Sequence, residues 1–213
     1  MSKIQKVMTS LFFCLVFCGS GTVYADTQQN QKHMIQYQGR QDNKLKNENA
    51  GEVIKPQTLD DLFRRLQKSE DEDEAAGLSR LIERRMEKSG SPTADLLMRR
   101  AGQAAQNDPA LAIEITDRIL VLEPQWSQAW FMRSQLFLLL SDSLSAFEDM
   151  KQTVHLEPRH YQAWVYMGML FADSEDEKTA LALFRKALSI NPFYPGLGGM
   201  IQKLSRKFEG FRI

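Results

Sequence analysis

Cysteine is scarce in this 213-residue chain, and the two it has, Cys14 and Cys18, sit near its start. The stretch around them has the form of an export leader. Lys3 and Lys6 supply positive charge, residues 7–23 are apolar or small throughout, and Val23-Tyr24-Ala25 puts small residues at the two places signal peptidase inspects. Cleavage after Ala25 is expected, which sends the chain to the periplasm or outside the cell. The exported chain would then hold no cysteine, so disulfides, a thiol nucleophile and cysteine-ligated metal are excluded. An excess of charge of either sign is also lacking, with 27 basic residues against 27 acidic ones. Loss of Lys3 and Lys6 with the leader leaves 27 acids against 25 bases. That balance argues against nucleic acid or a membrane surface as partner, since either calls for a net basic stripe.

Other signals are missing too. The leader is short for a span of about 20 apolar residues and no stop-transfer pattern follows it. Leu15 stands three before Cys18, as in a bacterial lipobox, but bulky Phe17 fills the place of a small residue, which disfavours lipid anchoring at Cys18. There is no glycine-rich phosphate loop, nucleophile elbow or paired-carboxylate signature. Histidine is limited to His33, His155 and His160. His155, Glu157 and His160 could be grouped as metal ligands, but Pro158 breaks the helical spacing that would aim two imidazoles together. The pairs Arg64-Arg65, Arg84-Arg85 and Arg99-Arg100 lie among acids and read as solvated helix faces. No enzyme, no cofactor and no metal site are expected.

What is present is a pattern written more than once. Trp130 and Trp164, Phe137 and Phe171, Ala146 and Ala180, Met150 and Phe184, and Pro158 and Pro192 are each 34 residues apart. Pro124 and Ala112 extend the register upstream, and the units close on LVLEP, VHLEP and LSINP. Two aromatics seven residues apart share a helix face. A polar break and a second apolar stripe follow, and proline stops each unit. Each unit is expected to be helix, turn, helix, too small to bury its own apolar face unless stacked.

The pattern resembles the tetratricopeptide repeat. The family's ladder is matched in the third unit by Trp164, Gly168, Phe171, Ala180, Phe184, Ala187 and Pro192. The second carries Trp130, Ser134, Phe137, Ala146, Met150, Val154 and Pro158. The first departs from it, with Leu96, Arg100 and Gln103 at the aromatic and glycine places. LDDLFRRL, SGSPTADLLMRR and EPRHYQAW also resemble small exported bacterial repeat proteins. The resemblance implies an all-α fold: a right-handed superhelix of about three helix-turn-helix units over residues 91–194.

Around that array, residues 26–56 are polar and too poor in apolar side chains to offset ordering entropy, and are expected to be a disordered tether. Residues 57–90 predict a helical pair. Thr58 is its N-cap, Leu59, Leu62, Phe63 and Leu66 form a first apolar face, and Leu78, Leu81, Ile82 and Met86 a second after the acidic run from Glu70 to Glu74. The pair is expected to lid the first repeat, which starts at Ser91-Pro92. Residues 195–213, with Leu197, Met200, Ile201 and Leu204 on one stripe, are expected to cap the last.

Function is then expected on a surface. The resemblance places the inner wall of the superhelix on the first helix of each unit. Leu97, Gln128, Phe131, Gln135, Leu138, Gln162, Val165 and Met169 fall on its groove positions. Some relatives clamp a partner's terminal carboxylate with Lys, Asn and Arg, but the matching places here are Leu97, Ala101, Met132, Gln162 and Tyr166, so the clamp is absent. The expected partner is a protein or peptide whose apolar segment lies along Phe131, Leu138, Val165 and Met169. The alternative is a self-associating scaffold whose groove is covered by the chain's own terminal helices. Trp130 and Trp164 are expected in the interfaces between helices, where truncation to Ala costs about 3–5 kcal/mol.

Overall fold

Two polar side chains start the folded part of the chain. Thr58 and Asp61 cap each other's backbone N–H groups reciprocally at the head of α1, Leu59–Gln67, whose Leu62, Phe63 and Leu66 are buried. Asp71 caps α2, Glu72–Met86, and three acids in its first turn favour the positive end of the helix. The computed structural model describes residues 57–209, with no side chain described beyond residue 206. The leader and the tether lie outside the described residues. Among those described there are nine helices and no strand.

Three helical hairpins follow. They are α3 (Pro92–Ala104) with α4 (Pro109–Leu122), α5 (Ser127–Leu139) with α6 (Ser143–Leu156), and α7 (Tyr161–Asp173) with α8 (Glu177–Ile190). The repeat is visible atom by atom. Asp108, Asp142 and Asp176 each cap the second helix of a unit by accepting the backbone N–H of Leu111, Ser145 and Thr179. Ser141 and Glu175 close the first helices of units two and three in left-handed conformation, φ 62° and 66°. There the amides of Asp142 and Asp176 donate back to Phe137 O and Phe171 O, both at 2.9 Å. The last helix, α9 (Leu197–Glu209), packs on α8 with Leu197 buried.

Small residues let the helices of each unit approach. Ala112, Ala146 and Ala180 are all fully buried at equivalent places. The place expected for Val154 belongs instead to Thr153, which is fully buried and donates its hydroxyl to Asp149 O, in register with Ile119 and Ala187. Trp130 and Trp164 are half-buried rather than core, and each donates its indole N–H to a proline carbonyl six residues back, Pro124 O and Pro158 O, at 2.9 Å. Their truncation should therefore cost less than full burial implies. Arg133 stitches three helices, meeting Asp117 of α4 and Asp149 of α6 at 2.7 Å, with its guanidinium 4.9 Å from the Trp130 ring. One period later the Arg133 and Asp149 places hold Met167 and Leu183, an apolar solution to the same slot.

The N-terminal pair does not lid the first repeat. It lies against later units, so Leu96 on the leading helix α3 stays 42% exposed. Helix α1 meets α8, where Gln67 Nε2 donates to Ser189 O at 3.1 Å. The stripe that α2 turns inward is Ala75, Leu78, Ile82 and Met86, while Leu81 faces out. All these helices belong to one compact unit that begins at Thr58.

Gly168 measures how tight the α7/α8 hairpin is. A Cβ there would come 2.5 Å from Phe184 Cε1, and the Phe184 ring is fully buried. Gly168→Ala should destabilise the protein by about 1–3 kcal/mol in urea unfolding. Adding Phe184→Met, which copies the Ser134 and Met150 pairing of the second unit, should restore most of that loss.

Candidate partner-binding site

The joints between units present one residue each to the face where α2 lies. Trp126, His160 and Tyr194 occupy equivalent places one period apart, immediately before or after the ends of the repeat helices. Trp126 is buried, and its indole N–H donates to Met86 O, the last residue of α2, at 2.7 Å. His160 is the N-cap of α7: its Nδ1 accepts from Ala163 N–H, and Nε2 faces Gln128 Oε1 at 3.2 Å. Those partners require a neutral ring with the proton on Nε2. Phe131 backs it with ring centroids 4.3 Å apart. Tyr194 packs edge-on against Tyr161 at 5.8 Å.

Helix α2 crosses this face from unit three toward unit one. Ser79 Oγ accepts from Asn191 Nδ2 at 3.1 Å, at the end of α8. One turn on, Glu83 Oε1 accepts from Tyr161 OH at 3.2 Å and from Gln162 Nε2 at 3.0 Å, at the start of α7. Met86 then reaches Trp126. Burial raises the Glu83 pKa above the usual carboxylate range. Burial, reinforced by Glu83, also pushes the Tyr161 phenol up. Beside this line Arg159 holds α1, with its guanidinium 2.6 Å from Asp60, paired to Glu157 at 2.9 Å and 4.5 Å from the Phe63 ring.

Most of the apolar residues expected along the wall are buried. Phe131, Leu138, Val165 and Met169 are all buried. Leu97 is half-buried on α3. The three glutamines have separate employment: Gln128 with His160, Gln135 with the Tyr166 hydroxyl, and Gln162 with Glu83. Of the three, Gln162 is the one with a hydrogen bond to α2 among the described residues. Sequence reasoning missed Trp126, Tyr194 and Glu83, and weighed His160 only as a metal ligand. Trp126, His160 and Tyr194 are themselves spaced by one period, a signal that was available. Glu83 had none, because its role depends on which residues α2 meets. Among the described residues no group of three or more His, Cys, Asp or Glu side chains could hold a metal ion, and no helix is long and apolar enough to cross a membrane.

No family model matches the chain. A tetratricopeptide repeat-containing protein of Rhizobium etli is 28% identical over 158 residues, 73% of this chain and 77% of that protein. The array is a stack of helix-turn-helix repeats similar to those of tetratricopeptide repeat proteins. Solved structures with the same fold include the first repeat domain of Spaghetti bound to an HSP90 peptide, at TM-score 0.50 and 16% identity over 55% of this chain and 93% of that one. The Sgt2 repeat domain of Aspergillus fumigatus gives TM-score 0.50 and 21% identity over 56% of this chain and 81% of that one. MamA gives TM-score 0.50 and 17% identity over 75% of this chain and 88% of that one.

Two tests follow from the joints of the repeat array. Burial depresses the His160 pKa to about 4 from an ordinary 6.5. The unfolded chain therefore takes up a proton first as pH falls, so the contribution of neutral His160 is whole above pH 6.5 and lost on the way down to 4. The total is about 3 kcal/mol. His160→Asn replaces the capping Nδ1 with a capping oxygen and removes the titration, so its stability curve should be flatter than wild type between those pH values. Trp126→Phe should cost about 1–2 kcal/mol in thermal unfolding, since it leaves the Met86 carbonyl buried without its donor.

Proposed function

We propose that this protein is an exported, non-enzymatic interaction module whose repeat array receives an amphipathic helix of a partner protein in the cell envelope. The observation that carries this reading is that the inner face of the array already holds such a helix. Helix α2 lies across it, attached at three successive joints through Asn191, Tyr161 with Gln162, and Trp126. Stacked helical repeats offer a continuous surface of this kind, and a helix in a groove is read through apolar anchors at helical spacing. The solved Spaghetti domain, similar in fold, is bound to a peptide. Export rests on Lys3, Lys6, the apolar stretch after them and the small residues before Asp26.

Burial of Phe131, Val165 and Met169 favours a second reading, a scaffold whose groove is closed for good by its own helices and which acts through self-association. Light scattering of the exported chain separates the two: a monomer excludes the scaffold.

The module reading is tested in intact cells with a photoreactive residue at Gln135, on the wall, or at Val121, which is 83% exposed on α4. A discrete envelope protein should be captured from Gln135 and not from Val121. Equal capture from both, or none from Gln135, removes the reading. Mass spectrometry of the recovered chain should find Asp26 as its first residue.

A further inference from the structure

The seat of α2 is imperfectly filled. Asn191 is 2% exposed and its amide nitrogen donates to Ser79, but its Oδ1 is buried with no hydrogen-bond partner among the described residues. The single Ser79 hydroxyl accepts from the Asn191 amide nitrogen and also bonds the Tyr161 hydroxyl, so it leaves the other end of the Asn191 amide unserved. One turn further along, the Glu83 carboxylate is half-buried between two donors, a phenol and an amide. A buried polar atom left without a partner costs free energy, so a helix that supplied the missing donor would hold the seat better than α2 does.

The attachment of α2 is also separable from the rest of the fold. Its polar contacts reach α1, the second unit and the third unit, and the turn after it is tied to α3 through Ser89 and Lys88 with Asp95. Gly90 in that turn adopts φ 87°, a left-handed conformation open to glycine and strained for other residues. Ala112, Ala146 and Ala180 are each fully buried on the second helix of their own hairpin.

We propose that α2 is a displaceable internal ligand, and that the array's partner is an amphipathic helix with apolar residues in the places of Ala75, Leu78, Ile82 and Met86, a carboxylate in the place of Glu83, and a side-chain amide in the place of Ser79. The amide would meet Asn191 reciprocally, giving and taking a hydrogen bond, while the carboxylate keeps Tyr161 and Gln162. A second copy of this chain is the weaker occupant, because it would bring the same serine and leave the same oxygen unpaired. This inference rests on the reading that the array receives a helix.

Three labelled peptides of the sequence of residues 69–88 test it by fluorescence anisotropy: unchanged, Ser79→Asn and Glu83→Lys. Against the exported chain the Ser79→Asn peptide should bind at least tenfold more tightly than the unchanged one, and the Glu83→Lys peptide should not bind. A chain carrying Glu83→Lys loosens its own α2 and should take the unchanged peptide at least tenfold more tightly than wild type does. Hydrogen exchange of the unsubstituted chain should show α2 amides exchanging at least tenfold faster than those of α7, since α2 opens without the array. Equal protection of α2 and α7, or no gain from Ser79→Asn, overturns the proposal. Concentration-dependent dimers that exchange their N-terminal helices overturn it in favour of a second copy. If the peptides fail while Gln135 still captures an envelope protein, α2 is a fixed part of the fold and the module reading stands; if the peptides bind and capture fails, the reverse holds.

Discussion

An amphipathic helix cannot leave its apolar stripe in water, and α2 meets that constraint by crossing the face of a repeat array instead of extending it. Ala75, Leu78, Ile82 and Met86 are all buried there. Removing such a stripe from water is worth about 25 cal/mol per Å². The polar contacts add position: Asn191, Tyr161, Gln162 and Trp126 fix which residue of α2 meets which joint. Placing α2 on this face has a corollary at the other end of the chain's logic, because the leading face of α3 loses the lid that a stacked pair would have provided.

The joints between units do two jobs. Within the array they stop one helix and start the next, as His160 does when it caps α7 with its ring. Toward α2 they offer a line of large polar-edged side chains. Trp126, His160 and Tyr194 each combine an apolar body with a hydrogen-bonding atom, which suits a surface that must cover apolar side chains and still address backbone and carboxylate groups. His160 belongs to this row but bonds inward to Gln128, so it serves the wall and not α2.

Much of the fold was legible because its determinants are local and repeated. Trp164, Gly168, Ala180, Phe184 and Pro192 name one unit, and offsetting them by one period names the previous one with Trp130, Ala146 and Pro158. Caps were less legible: Asp108, Asp142 and Asp176 recur at one period, yet short polar side chains between apolar runs look alike whether or not they cap. Val154 for Thr153 shows the limit of reading apolarity alone, since Thr153 spends its hydroxyl on Asp149 O and is buried like an aliphatic residue. Of the residues placed on the groove by resemblance, Gln162 bonds Glu83 of α2, while Phe131, Val165 and Met169 are buried.

By itself the sequence determined the helices, their hairpin pairing and the period at which they stack, since each rests on residues within one or two turns or one repeat of each other. It also marked α2 as amphipathic. Only the tertiary structure decided where that amphipathic face went, because α3 and the inner wall both offer apolar cover and periodicity carries no information about which is chosen. That choice lies in contacts between residues 40 to 112 positions apart, such as Trp126 with Met86 and Asn191 with Ser79, and no local pattern encodes them.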